Sequence, residues 1–246
     1  MSTATVRLLC VCSLTSAVVL VWILGVALQT SPETTAAAAA HCLDRAALAK
    51  FQLARTVDDL VGVFGPADSQ CRPLVSRALE TTQHADFQGL IPAYTVFFTT
   101  AAVAVASVRR VWTLVAIVAT LLAAGANVIE DRIQLMIIQS VEQAGPLLPP
   151  LMIATLTKFV ALAVCAAAFA AWALDQRNKK WPLSVAGFLP LPATLVSALD
   201  PQRLGFVMAL TFLMFAVVLC AFLVLVIVHP DLPRSPAQTE RRPLRG

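Results

Sequence analysis

The chain has 246 residues, 59% of them hydrophobic and only 13% charged, with a net charge of +4 and a mean hydropathy of +0.79. Soluble domains carry about a quarter charged residues, and here the apolar residues fall in long blocks, which excludes a disordered chain, a collagen-like fibre and a small disulfide-stapled secreted domain. The basic residues lie mainly between those blocks and at the C-terminus, so the charge pattern gives no support to nucleic-acid binding. The composition predicts an all-α, polytopic transmembrane helix bundle.

A helix needs about 20 apolar residues to cross the hydrocarbon core, where exposed backbone groups find no partners. Six blocks approach or exceed that: Leu8 to Leu28, Gly89 to Val108, Val111 to Ile129, Pro150 to Leu174, Pro182 to Leu199 and Leu204 to Val228. The expected organisation is therefore an anchor over 1–28, a loop over 29–88, a five-span bundle over 89–228 and a disordered basic tail over 229–246. A lone Arg7 ahead of the first block, with Ala36 to Ala40 behind it, also fits a signal peptide, although the apolar run is longer than a usual signal core. The fifth block is short and carries Pro182, Pro190 and Pro192 around Gly187, which predicts a kink or partial insertion.

Orientation follows from the basic residues. With the N-terminus inside, Arg7, Arg109, Arg110, Arg177, Lys179, Lys180, Arg234, Arg241, Arg242 and Arg245 all fall inside, and eleven of the fourteen acids fall outside. Trp112, Trp172 and Trp181 then sit at inner helix ends, where an indole spans the acyl boundary. Both termini are thus expected to be cytoplasmic and the loop 29–88 external, in a plasma or cytoplasmic membrane.

In that loop Val57, Leu60, Val61 and Phe64 recur at helical spacing, as do Leu74 and Leu79, with Gly65-Pro66 as a break; this predicts a helical hairpin that folds against the bundle. Cys42 and Cys71 are its only cysteines and lie on the oxidising side, which predicts a disulfide. A metal site from His41, Cys42, Cys71 and His84 is the alternative, but no paired ligand spacing supports it, and no metal is expected. Cys10, Cys12, Cys165 and Cys220 lie within spans and read as small packing residues. The alanines of the fourth span, Ala161 to Ala171, allow close helix approach.

The six blocks hold a single ionisable acid or base, Lys158. It lies eight residues into the fourth span, roughly 12 Å below the external surface at about 1.5 Å per residue. The third span runs into Asn127, Glu130, Asp131 and Gln134, which share one side of a helix. Asp86 enters the second span near the same level, and Tyr94 lies deeper. A buried Lys costs about 3 kcal/mol on insertion scales, so Glu130 or Asp131 is its expected counter-charge. Asp86, Tyr94, Asn127, Glu130, Asp131 and Lys158 form the candidate site: a structural clasp, or a polar cavity able to bind a head group, relay a proton or act as acid or base.

The same residues carry a resemblance. Phe51-Gln52-Leu53-Ala54, Asp86-Phe87 with Ile91-Pro92-Ala93-Tyr94, Asn127-x-x-Glu130-Asp131 and Lys158-Phe159 resemble a group of mostly uncharacterised bacterial multi-span membrane proteins. Their recurring patterns are F-E-L-A, D-F-x-F-I-P-x-Y, D-x-x-E-N and K-F. The resemblance covers about residues 51–159, with Gln52 in place of Glu, Asn127 of Asp and Asp131 of Asn, and it implies no particular activity.

No P-loop, HExxH, GxSxG, CxxC or GxGxxG occurs in a suitable context, and no cofactor is expected. Three function classes remain: a structural or binding bundle with an outer-leaflet polar site, a lipid-binding or lipid-modifying protein, and a small-solute or proton-coupled transporter. The sequence does not say whether the chain is an enzyme. Membrane lipids are the expected partners, with a small amphipathic ligand or a lipid head group at the site.

Overall fold

A computed structural model describes all residues except 45, 106–109, 175–180, 200 and 230–246, with the backbone alone over 198–199 and 201–206. The expected tail beyond His229, the end of the second block, and Arg109, Arg177, Lys179 and Lys180 of the inner face lie outside the described residues. The described residues are helical wherever they are regular, and no strand occurs among them.

Five helical segments are long and apolar enough to cross a membrane: Thr3–Ala27, Cys71–Val105, Arg110–Gln139, Gly145–Leu174 and Val207–Val228. The chain is an integral membrane protein. Large apolar side chains such as Val21, Leu122, Ile153 and Leu213 are exposed on these helices, as lipid requires and water would penalise. The expected fifth span differs. It forms two short helices, α9 (Trp181–Phe188) and α10 (Pro190–Leu199), interrupted at Leu189. Pro190 has no N–H to continue the ladder, which is why the block breaks there.

The chain forms two compact units, residues 18–94 with 122–159, and residues 1–17 with 95–121 and 160–246. In the first, the segment between the first two spans folds into helices α2 (Pro32–Ala39), α3 (Ala47–Gln52), α4 (Val57–Phe64) and α5 (Cys71–Ala85). That is four helices where two were expected. The start of α4 is set by a capping box: the Thr56 hydroxyl accepts the Asp59 N–H, and the Asp59 carboxylate accepts the Thr56 N–H. Its end is set by Gly65 at φ +81°, a conformation that disfavours a side chain. Leu60, Val63 and Phe64 form its buried stripe, with Phe64 edge-on to Phe51 at 5.1 Å.

Helix α2 ends in a Schellman turn. Cys42 N–H reaches the Ala37 carbonyl, and His41 N–H the Ala38 carbonyl, with His41 held at φ +56°. That turn delivers Cys42 to Cys71, the first residue of α5, and the two form a disulfide with Cα atoms 5.1 Å apart. The cap's core then continues into the facing ends of two membrane helices and the turn between them: Phe51, Leu60, Phe64, Val75 and Leu79 pack with Ile137, Val141, Leu148 and Leu151. Helix α7 (Arg110–Gln139) can contribute Ile137 because its 30 residues span about 45 Å, more than a hydrocarbon core of about 30 Å.

No break separates the loop from the second span, contrary to the boundary expected at residue 88. Helix α5 passes through a π-helical turn, Asp86–Leu90, into α6 (Ile91–Val105). A second π turn, Ile23–Ala27, follows α1 (Thr3–Trp22), and the two turns touch. Gly89 makes this contact possible: a Cβ there would lie 2.7 Å from Ile23 Cδ1.

The other unit packs through small residues and rings. Gly187 of α9 sits against α8 (Leu148–Leu174), where a Cβ would lie 2.6 Å from the Ala166 carbonyl oxygen. Phe98 and Phe169 each meet Phe215 of α11 (Pro201–Val228), and Trp172 meets Phe222 edge-on. Ser13 of α1 donates to the Phe97 carbonyl at 2.9 Å, which satisfies a hydroxyl where no water is at hand.

Candidate functional site

The site lies within the first unit and is built from helical stripes that carry the wrong polarity for their burial. On α7, Ala123, Asn127, Glu130, Asp131, Gln134 and Ile137 recur at three- and four-residue spacing and are all buried. Four successive positions of the buried face are polar, whereas Leu122, Ile129 and Met136 on the other faces are apolar and exposed. On α8 the buried stripe is Leu151, Ala154, Thr155, Lys158 and Ala161. Both helices thus turn their ionisable groups inward, the arrangement lipid enforces.

The π turn supplies the third wall. Asp86 and Tyr94 are eight residues apart, which in a regular α-helix would leave them about 80° out of phase. The extra residue absorbed by the π turn reduces this to the equivalent of seven, two turns to within about 20°. Both side chains are buried as a result.

The ion pair is specific. Lys158 Nζ lies 2.5 Å from Glu130 Oε2, so Glu130 and not Asp131 is the counter-charge. Gln134 Nε2 donates to the other Glu130 oxygen at 3.1 Å, and the Lys158 ammonium also lies 4.8 Å from the Phe159 ring centroid. Asn127 Nδ2 donates to Asp86 Oδ2 at 3.2 Å. Asp131 lies within electrostatic reach of Asp86, Glu130 and Lys158, and Tyr94 within reach of all three carboxylates. The structure therefore brings all six predicted site residues into one cluster.

Three further buried polar residues lie on the helices that carry it. Gln134 bridges to Glu130 as described. Gln83 is 1% exposed and occupies the next position of the Val75, Ala78, Leu79 stripe on α5. A glutamine in the register of an apolar stripe was the signal for it. Thr155, one turn from Lys158, donates to the Gln52 carbonyl at 3.4 Å and so ties the end of α3 to the site helix. The Gln52 backbone, and not its side chain, makes this contact.

Several atoms have no hydrogen-bond partner. They are Asp86 Oδ1, Tyr94 Oη, Asn127 Oδ1, both Asp131 oxygens, Gln134 Oε1 and Gln83 Nε2. An unmatched buried polar group costs about 1–3 kcal/mol, more if charged. Such a concentration in one place calls for a chemical reason. Among the described residues, no three His, Cys, Asp or Glu side chains are arranged to hold a metal ion.

The carboxylates near the cap behave differently. Backbone N–H groups hold the Asp59 carboxyl below its ordinary range, Arg55 contributing most and then the Thr56 hydroxyl and N–H. Asp44 is likewise lowered, first by the Ala46 N–H and then by Lys50. Glu142 is lowered by Arg72, with which it forms an ion pair. Each is solvated or matched with donors.

No protein-family model, curated protein or solved structure matches the chain.

Proposed function

We propose that this integral membrane protein is a proton-coupled exchanger of a small solute, with the Asp86, Glu130, Asp131 and Lys158 cluster as its site. One observation carries the reading: three buried carboxylates face one buried ammonium. Fully ionised, the cluster would hold two excess negative charges in a low-dielectric setting, which is prohibitive unless protons or a cation match them. A site that must be charge-matched, and has oxygens to spare, is suited to hold either a proton or another occupant.

The Lys158–Glu130 pair also supports the structural clasp expected from the sequence, but a clasp uses only one of the three carboxylates. Head-group binding has weaker support, since every residue of the cluster is at most 8% exposed and the packing would have to open. The excess of basic residues in the inner segments supports an orientation with both termini in the cytoplasm, the disulfide-closed cap outside and the cluster in the outer half of the membrane.

The test is proton movement. In proteoliposomes enclosing a pH-sensitive dye with sodium and potassium salts as counter-solutes, an acid jump outside should acidify the lumen faster with the wild-type chain than with Asp131→Asn or with empty vesicles. Equal rates in all three would remove the reading.

A further inference from the structure

We propose that the cluster binds one hard monovalent cation, sodium or an ion of its size and charge, in place of a proton at Asp131. The inference rests on the exchange reading and names its solute. Its basis is the balance of donors and acceptors. Five residues present six unmatched oxygens: Asp86 Oδ1, Tyr94 Oη, Asn127 Oδ1, Asp131 Oδ1 and Oδ2, and Gln134 Oε1. Against them stand two unmatched donors, Gln83 Nε2 and the O–H of Tyr94 itself, still fewer than the acceptors. An all-oxygen set without thiolate or imidazole suits hard cations.

The neutral oxygens make the argument independent of the acids. Asn127 and Gln134 each turn the amide N–H side to a carboxylate, Asp86 and Glu130 respectively. Their carbonyl oxygens are left unmatched inside the same cluster, at 2% and 0% exposure. Protons on carboxylates would settle the charge while leaving these carbonyls to compete for the new O–H groups. A cation can use carboxylates and carbonyls alike.

Charge selects the valence. Asp86, Glu130 and Asp131 with Lys158 sum to two negative charges when ionised, so two protons, or one proton and one monovalent cation, both reach neutrality. Exchange of one sodium ion for one proton therefore leaves the net charge unchanged, the ion entering as the Asp131 proton leaves to water. A divalent cation would leave no place for a proton and would uncouple the two. The ionisable groups facing Asp131 are Asp86 from the π turn, Tyr94 from α6, Glu130 from α7 and Lys158 from α8; Lys158 is engaged by Glu130, which leaves Asp131 and Asp86 as the acids open to the ion.

The experiment is thermal unfolding of the full-length chain in detergent, in sodium, potassium, calcium or choline chloride at matched ionic strength. A ligand that binds only the folded chain raises its midpoint with concentration. The expected result is a rise in sodium over choline at mildly alkaline pH. It should vanish at mildly acidic pH and in Asp131→Asn, and shrink in Tyr94→Phe. Tyr94→Phe keeps every charge and decides the question where Asp131→Asn does not fold. Equal midpoints in sodium and choline, a sodium effect that survives Asp131→Asn, or calcium acting in place of sodium would each overturn the inference. Proton movement that depends on Asp131 and on a counter-solute other than sodium, without any sodium effect, would remove the sodium inference alone. A pH-independent sodium effect without proton movement would remove both the exchange reading and the inference that sodium takes the place of the Asp131 proton.

Discussion

Asp59 in the cap and Asp131 in the membrane cluster are the same residue type handled in opposite ways. Asp59 begins a short helix at the surface, and its carboxylate accepts N–H groups from Arg55 and Thr56. Asp131 is 1% exposed and neither of its oxygens has a partner. The first makes its helix start in a defined place; the second weakens the fold wherever it stays ionised. The difference separates a carboxylate whose donors fix a helix start from one left without donors among the membrane helices.

Removing Lys158 should have the largest effect. Lys158→Ala leaves Glu130 buried without its counter-charge and should cost about 3–5 kcal/mol. The double variant Lys158→Ala with Glu130→Ala should recover part of that loss, as read by a double-mutant cycle on denaturant unfolding. Unchanged stability for Lys158→Ala would break the contrast between the two regions.

The disulfide comes next. Cys42 and Cys71 are 29 residues apart, and removing a link over such a loop should cost about 2–4 kcal/mol. Replacing both with Ser, or adding reductant, should show that loss in the cap. A non-reducing mass map that finds both as free thiols in mature protein would count against the account of the cap.

A smaller effect belongs to Asp59. Because its folded carboxyl is held below the unfolded value of about 3.9, its contribution is present above that pH and is lost as pH falls through the folded value. Asp59→Asn should therefore lower cap stability at neutral and alkaline pH, cost least below the folded value, and so flatten part of the acid limb. The smallest change is His41→Gly, which relieves a left-handed position and should raise stability by up to about 1 kcal/mol.

Spans were legible in the sequence because apolar run length is a local property, and so was the cap disulfide, since only two cysteines lay outside the spans. Lys158 stood out for the same reason: one cation in a long apolar run. Which acid it meets was not legible. Glu130 and Asp131 are adjacent, and the choice depends on the rotation of α7, which packing sets and sequence spacing does not. The π turn was hidden as well; without it Asp86 and Tyr94 fall on different faces. The break at Leu189 was foreshadowed by Pro190 and Pro192, and the continuity of α5 into the second span was missed because Gly89 looked like a boundary when it serves as a contact point for Ile23.

The central claim is that the surplus carboxylates of the cluster are charge-matched by an exchangeable proton. It is tested most directly by infrared difference spectroscopy of the purified chain in sodium-free buffer as the pH is raised from neutral. The account predicts a protonated-carboxyl band at neutral pH that disappears on titration and is absent or reduced in Asp131→Asn. A wild-type spectrum with no protonated carboxyl at neutral pH, in the absence of sodium, would contradict it.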